Sequence, residues 1–556
     1  MRTGTHGAGE RSVAAGVRAA SAEAARTGAA RSAAARDDVL ERLMLAFRGT
    51  TLPGWLRERL AGAPAAGVTL FRARNVRSPH QVAALSSALQ RASGRPADSP
   101  LLIAADQEGG QLLALGDGWT PFAGPMAIGA TGDAGLAERV GRAIGLELRA
   151  VGVNVDYAPV LDVVASRDNP TIGIRAFGDD PIAVGQLGSA WIRGVQSAGV
   201  AATGKHFPGL GGVTADTHHA LGVVERSRAE VEAVDLAPYR AATASGLRVV
   251  MTGHFANPSL TGSPALPATL SATVLRELLR DDLGFDGVSI TDALDMRALP
   301  QDATQAVDVV AALRAGVDLL LTTPDRRALA RIESAIRRAA EVELLDAEGL
   351  AEAHARIETL RRWIGGFPKP AFDVVGSETH QALARELAAR SLTLVRDDGR
   401  LPLRLDPSAT LLAVMPRPRD LTPADTSSYV APQLGEALRA QHPRAEEIVT
   451  SDPPTPADIA AVVGRAQAAE AVVVGTIAAM PGSAQAELVA ALVATGRPVV
   501  SVALRTPWDV VAYPSARTNV ATYSILRPSL DALAAALFGR TGSAEPFPGR
   551  LPVVLA

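Results

Sequence analysis

The sequence predicts an α/β protein, a TIM-type (β/α)8 barrel followed by a C-terminal αβα sandwich. Two observations carry that prediction. Between residues 39 and 365, eight short apolar runs alternate with longer Ala/Leu/Arg stretches of helical spacing. After a Gly/Pro break the alternation resumes, so a second α/β unit follows the first. At 556 residues the chain is too long for a single core, in keeping with two domains.

Residues 1–38 are rich in Ala, Arg, Gly and Ser, and Arg or Glu interrupts every short apolar stretch. A disordered tail is expected there rather than a secretory signal. The candidate barrel strands lie at 43–47, 68–71, 101–105, 153–157, 200–203, 249–252, 288–290 and 319–321. Residues 39–365 thus form the barrel. Gly365-Gly366-Phe367-Pro368-Lys369-Pro370 opens a linker at 366–378. The sandwich occupies 379–556, with an amphipathic helix at 379–390 and strands at 392–395, 411–415, 471–474, 499–504 and 520–523. It has no glycine-rich phosphate loop, so its expected role is to stabilise the barrel or assemble oligomers.

Composition narrows the function classes. A formal net charge of -3 gives no reason to expect nucleic acid or an anionic membrane as partner. The chain has no cysteine, which removes disulfides and thiolate metal sites. No apolar window reaches the roughly 18 residues of a membrane span. A cytoplasmic enzyme acting on a small molecule, without metal or cofactor, is the expectation; oligomeric state is left open.

Chemistry concentrates where strands end. Asp106 follows the run at 101–105, Lys205 and His206 the run at 200–203, His254 the run at 249–252 and Asp292 the run at 288–290. In a parallel barrel such positions converge on one face, where catalysis is built. The segment Gly204-Lys205-His206-Phe207-Pro208-Gly209 followed by Asp216-Thr217-His218 is the densest of these. If the chain is extended, Asp216 and His218 point to the same side, and the carboxylate raises the basicity of the imidazole. Taken alone, each of these residues also has a plain structural role: a helix cap for Asp292, a loop salt bridge for Arg175, a buried ion pair for Lys205.

Four motifs occur in register: Asp106-Gln107-Glu108-Gly109-Gly110, the segment from Asn169 to Gly178 containing Arg175, the Lys-His-Phe-Pro-Gly segment with Asp216-Thr217-His218, and Thr291-Asp292-Ala293-Leu294-Asp295-Met296. Together they resemble the bacterial β-N-acetylglucosaminidase branch of glycoside hydrolase family 3, in its two-domain form. The resemblance implies that Asp292 is the nucleophile, forming a glycosyl ester and giving retention after a second displacement. It further implies that His218, paired with Asp216, is the acid/base, and that Asp106, Arg175, Lys205 and His206 bind the sugar. A helix amino terminus opening after Asp292 is expected to keep it ionised. Asp295 is expected in the first helical turn, His219 outside the dyad, and His254 either lining or supporting the site.

Two departures concern the substrate. Members of that branch commonly carry Arg where this chain has Gln111 and Ala114, and often His where it has Leu210. The expected activity is release of nonreducing-end N-acetylglucosamine from a glycoside or muropeptide, in cell-wall recycling. Because a neutral histidine does not repel an anion, phosphate in place of water as acceptor is the first alternative. Another β-glycosidase, or a sugar-binding barrel without activity, are the others. A metal-dependent hydrolase is disfavoured by the lack of an early His-x-His pair and of a His-Glu-x-x-His helix.

Overall fold

The computed structural model describes residues 39–555 apart from 64, 165, 166, 168, 170, 214 and 215; the tail expected at 1–38 lies outside the described residues. Eight strands form the first sheet: β1 (Leu43–Ala46), β2 (Gly67–Thr69), β3 (Leu102–Ala105), β4 (Val155–Asp156), β5 (Ala201–Phe207), β6 (Val249–Thr252), β7 (Val288–Thr291) and β8 (Leu320–Leu321). They pair in parallel and in chain order from β1 to β7. β8 returns to β1 through Leu43↔Leu320, and the bridge Ile290↔Leu319 joins β7 to β8, closing the barrel.

Side chains alternate across these strands with period two. Met44, Leu102, Ala104, Val155, Val249, Met251, Val288 and Ile290 belong to one cluster inside the barrel. Leu43, Leu45, Ile103, Ala105 and Val250 belong to another, packed outward under the helices. Each strand is therefore apolar on both faces, which is why short unbroken apolar runs mark them in the sequence.

β5 runs longer than its apolar run, so Lys205 and His206 lie within the strand and not after it. The ladder with β6 pairs Lys205 with Met251 and then Phe207 with Thr252, leaving His206 as an extra residue. Such a bulge re-aims a side chain. Two consecutive residues, which regular alternation sends to opposite faces, can then serve one site.

The second sheet has six strands in the order β9-β14-β13-β12-β10-β11. They are β9 (Thr393–Arg396), β10 (Leu411–Pro416), β11 (Ala445–Thr450), β12 (Ala471–Thr476), β13 (Val499–Ala503) and β14 (Thr518–Ala521). Only β9 runs antiparallel. β11 has no counterpart among the expected strands. It is an edge strand whose middle residues are half-exposed and include Glu446 and Glu447, so no apolar run announces it. Leu411, Ala413 and Met415 face one helix layer, and Leu412 and Val414 the other, whose core is continuous with the barrel's outer core.

The two units are tied by more than a linker. Helix Glu378–Ser391 contacts barrel helix Pro125–Thr131 as well as sandwich helix Arg527–Leu537. The segment around residues 550–552 crosses back to the barrel, with Arg550 N donating to Ala130 O (2.9 Å) and Asp179 N to Pro552 O (3.1 Å). No described helix is long and apolar enough to cross a membrane.

Candidate active site

A cavity of about 130 Å³ opens at the carboxyl ends of the barrel strands. Asp106, Arg175, Lys205, His206, His218 and Asp292 all line it, joined by Pro423 and Ala424 from the second domain. Six of the seven residues expected to carry chemistry therefore share one space. The seventh, Asp216, sits behind His218.

One side of the site is an ion network centred on Glu108. Arg175 grips this carboxylate with two hydrogen bonds, Nε to Oε2 (2.8 Å) and Nη2 to Oε1 (2.7 Å). Lys205 Nζ reaches Glu108 Oε1 at 2.6 Å and Asp106 Oδ1 at 2.7 Å. Burial pushes the Glu108 carboxyl up, but Arg175 and Lys205 outweigh it and hold the group down at about 2. Burial works against the Lys205 charge as well, and Asp106 and Glu108 overcome it, raising its pKa. Arg175 and Lys205 thus have both the structural pairing and the cavity position. Glu108 escaped the sequence reading although it stands inside the Asp106 motif, because no local pattern says which cations a carboxylate will meet. Nearby, Asp156 Oδ1 accepts from Gln107 N (2.9 Å), and burial drives the Asp156 pKa well up.

His206 has a carboxylate of its own. Its Nδ1 lies 2.7 Å from Asp162 Oδ2, and Asp162 also accepts from the backbone N–H of His206 (3.2 Å) and Leu210 (2.6 Å). Asp162 was missed too; it follows β4 at a distance, and its partners lie some forty residues on.

His218 Nδ1 lies 2.7 Å from Asp216 Oδ1, and the same oxygen accepts from His218 N at 2.9 Å. The segment is a turn, not extended chain: His219 N and Ala220 N both bond back to Asp216 O. The pairing therefore arises from an Asx-type turn, in which Asp bonds the backbone two residues on. Burial raises the Asp216 carboxyl while its bonds to His218 lower it, with a net fall to about 2. His219 Nε2 is 3.8 Å from Asp216 and its side chain is 67% exposed, consistent with its place outside the dyad. The loop is held over the barrel mouth by the short pairing of Gly222–Val223 with Phe255–Ala256 and by Arg297 N donating to His218 O (3.2 Å).

Asp292 directly follows β7, its N–H bonded to Thr252 O (3.0 Å) and its Oδ1 accepting from Ala293 N (2.7 Å). The expected helix does not begin there. Residues 292–300 are turns and bends, and the next helix is Gln305–Ala315, so no helix opens directly after Asp292, and Asp295 is exposed in a turn. Burial disfavours its charge, and the nearby His206, His254 and His218, with the Ala293 N–H, reverse that and lower its pKa. The ionised state expected of this residue holds, from a different cause. His254 is fully buried, bonds Thr269 Oγ1 through Nδ1 (3.0 Å) and does not line the cavity. Burial depresses its pKa, with Asp292 pulling the other way, and the ring stands beside Asp292 as a support.

Among the described residues, Glu41, His354 and Glu358 bring one ligand atom each within 4.8 Å of one another, at the other end of the barrel. Arg95 and Arg361 already pair with both carboxylates, which makes this an ion-pair cluster.

The chain is similar to known proteins over both of its units. The family model described as "Glycosyl hydrolase family 3 N terminal domain" matches residues 54–360. A beta-hexosaminidase A from Pseudoalteromonas piscicida is 36% identical over 397 residues, 66% of this chain and 65% of that protein's length. A beta-hexosaminidase from Nitrosomonas eutropha is 36% identical over 289 residues, 51% of this chain and 80% of the relative. The solved glycoside hydrolase family 3 beta-N-acetylglucosaminidase from Paenibacillus sp. str. FPU-7 superposes with a TM-score of 0.87 at 34% identity, covering 94% of this chain and 98% of that one. With its barrel matched to the family and both domains matched to a solved member, the chain belongs to glycosyl hydrolase family 3 and is, by that membership, a glycoside hydrolase.

Proposed function

We propose that the chain is a retaining exo-β-N-acetylglucosaminidase that releases nonreducing-end N-acetylglucosamine through a glycosyl-Asp292 intermediate. The observation that carries this reading is that Asp292 and His218 line one cavity, with His218 Nδ1 held by Asp216. An Nδ1–H donated to a carboxylate leaves Nε2 as the atom that exchanges a proton with the substrate. In the first step a carboxylate oxygen of Asp292 attacks the anomeric carbon while protonated His218 gives its Nε2 proton to the departing glycosidic oxygen. In the second, His218 takes a proton from water as that water displaces Asp292, restoring both groups.

Asp106, pinned by Lys205, offers acceptor oxygens to sugar hydroxyls. The paired cations hold the network in place, so little reorganisation accompanies binding. The relatives' names support the sugar, and wall-derived muropeptides, met in the cytoplasm, are the natural substrates we assign. A nitrophenyl N-acetyl-β-glucosaminide assay with and without phosphate tests the reading. Free N-acetylglucosamine at a phosphate-independent rate is the expected result; sugar phosphate as product would make the enzyme a phosphorylase, and no turnover on this or on muropeptides would sink the proposal.

A further inference from the structure

Among the described residues, the second domain enters the cavity at one place. Pro423 and Ala424 line it, and the segment around them, residues 421–427, is organised by the buried Asp425. Its Oδ2 accepts from Leu421 N (3.0 Å) and its Oδ1 from Ser427 N (2.8 Å). Asp425 Oδ2 also accepts from Arg505 Nη1 at 2.7 Å, two residues beyond the end of β13. The other arm of the same buried guanidinium crosses to the barrel and donates to the side-chain oxygen of Gln111.

Gln111 belongs to the hairpin Gln107–Gly109 and Leu112–Leu113, and the segment is sewn to that hairpin. Gln111 Nε2 donates to Ala424 O (3.1 Å), Thr426 N to Gln111 O (2.8 Å), and Leu113 N to Thr426 Oγ1 (3.0 Å). The guanidinium of Arg72, from the barrel, stacks on Tyr429 at 4.3 Å. The hairpin also carries Glu108, the carboxylate that Arg175 and Lys205 share. One arginine therefore touches both the strap that walls the cavity and the hairpin that supplies its ion network. It does so through Gln111, where the family resemblance leads one to expect an arginine.

We propose that Arg505 is a positioning residue of the active site. By bridging Asp425 and Gln111 it sets Pro423 and Ala424 as a wall of the sugar cavity and fixes the hairpin bearing Glu108. This makes the second domain part of the substrate site and not only a brace for the barrel. The inference rests on reading the cavity as the sugar site. Loose packing between domains does not need this geometry: a planar fork spanning two buried acceptors in fixed directions is what Arg supplies and Lys does not.

Three variants test it: Arg505→Ala, Arg505→Lys and Ala424→Trp, assayed on nitrophenyl N-acetyl-β-glucosaminide. Arg505→Ala is expected to raise KM on the order of 10-fold with kcat changed by less than about 3-fold, the signature of lost substrate binding. Arg505→Lys should recover only part of the loss. Ala424→Trp leaves the bridge intact and crowds the wall, so KM should rise with Tm unchanged. Arg505→Ala that lowers Tm but keeps wild-type KM would reduce the bridge to structural mortar, and a wild-type KM in Ala424→Trp would remove Ala424 from the site. Hydrogen exchange over residues 107–114 and 421–427 needs no substrate. Faster exchange in Arg505→Ala supports the bridge even if the wild type turns nothing over, in which case it is the activity reading that fails; unchanged exchange overturns the bridge whatever the activity.

Discussion

His218 Nδ1 lies 2.7 Å from Asp216 Oδ1, the two residues drawn together by a turn in which that same oxygen also accepts the His218 backbone N–H. One oxygen thus fixes the ring's tautomer and its place. The Asp216 carboxyl, held at about 2, stays ionised at any working pH.

Asp216→Asn keeps the turn's shape but removes the charge. It is expected to lower kcat on poor leaving groups by about 10²- to 10⁴-fold, the usual range for acid–base assistance. On a dinitrophenyl glycoside, whose leaving group needs no proton, the first step should be much less affected. His219→Ala should remain close to wild type. A large defect in that variant, with Asp216→Asn mild, would move the dyad to the neighbouring ring.

Asp292→Ala should abolish turnover, on the order of 10⁴-fold or more, as loss of a nucleophile does. Circular dichroism and Tm near those of the wild type would exclude unfolding as the cause. In the wild type, a slow fluorinated substrate should leave a covalent sugar on the peptide containing Asp292, read by mass spectrometry. Near-normal turnover by the variant would refute this assignment.

Glu108→Gln removes the charge that Arg175 and Lys205 share in a buried place. Leaving buried cations under-compensated costs about 3–5 kcal/mol, measurable by denaturant unfolding. The pH dependence follows from the same residue. Its folded pKa, about 2, lies below the ordinary value of 4.5, so its stabilisation is complete above about 4.5 and is lost as pH falls through about 2. Glu108→Gln should therefore lose less stability than the wild type between those pH values.

The Asp292 carboxyl is held below its ordinary range by the three histidines around it, despite burial. A lowered acid must be ionised to attack, so its contribution is present above its folded pKa and fades as pH falls below it. The acid limb of kcat/KM attributable to Asp292 should accordingly lie below the ordinary carboxylate range wherever the protein stays folded. His254→Gln, which removes one of these rings while keeping an amide, should shift that limb upward. An unmoved limb would show that His254 does not act on Asp292.

Much of this was legible before the fold. Eight apolar runs marked eight strands because each strand is buried on both faces. Asp106, Arg175, Lys205, His206, His218 and Asp292 could be gathered because strand ends of a barrel converge. What escaped were groups whose meaning depends on a distant partner: Glu108 under Arg175, Asp162 under His206, and edge strand β11 with its glutamates. The helix expected after Asp292 was wrong for a related reason, since the turns at 292–300 are fixed by contacts such as Arg297 N to His218 O.

By itself the sequence determined the α/β plan, the two-domain order and the cast of the site, because periodicity and local motifs are properties of neighbours along the chain. Only the tertiary structure decided how that cast is wired. It made a turn, not a strand, the device that pairs Asp216 with His218, surrounded Asp292 with imidazoles where a helix dipole was expected, and brought Arg505 to Gln111 from 394 residues away. Charges, burial and hydrogen bonds act through space, and no local pattern records which distant residues will share it.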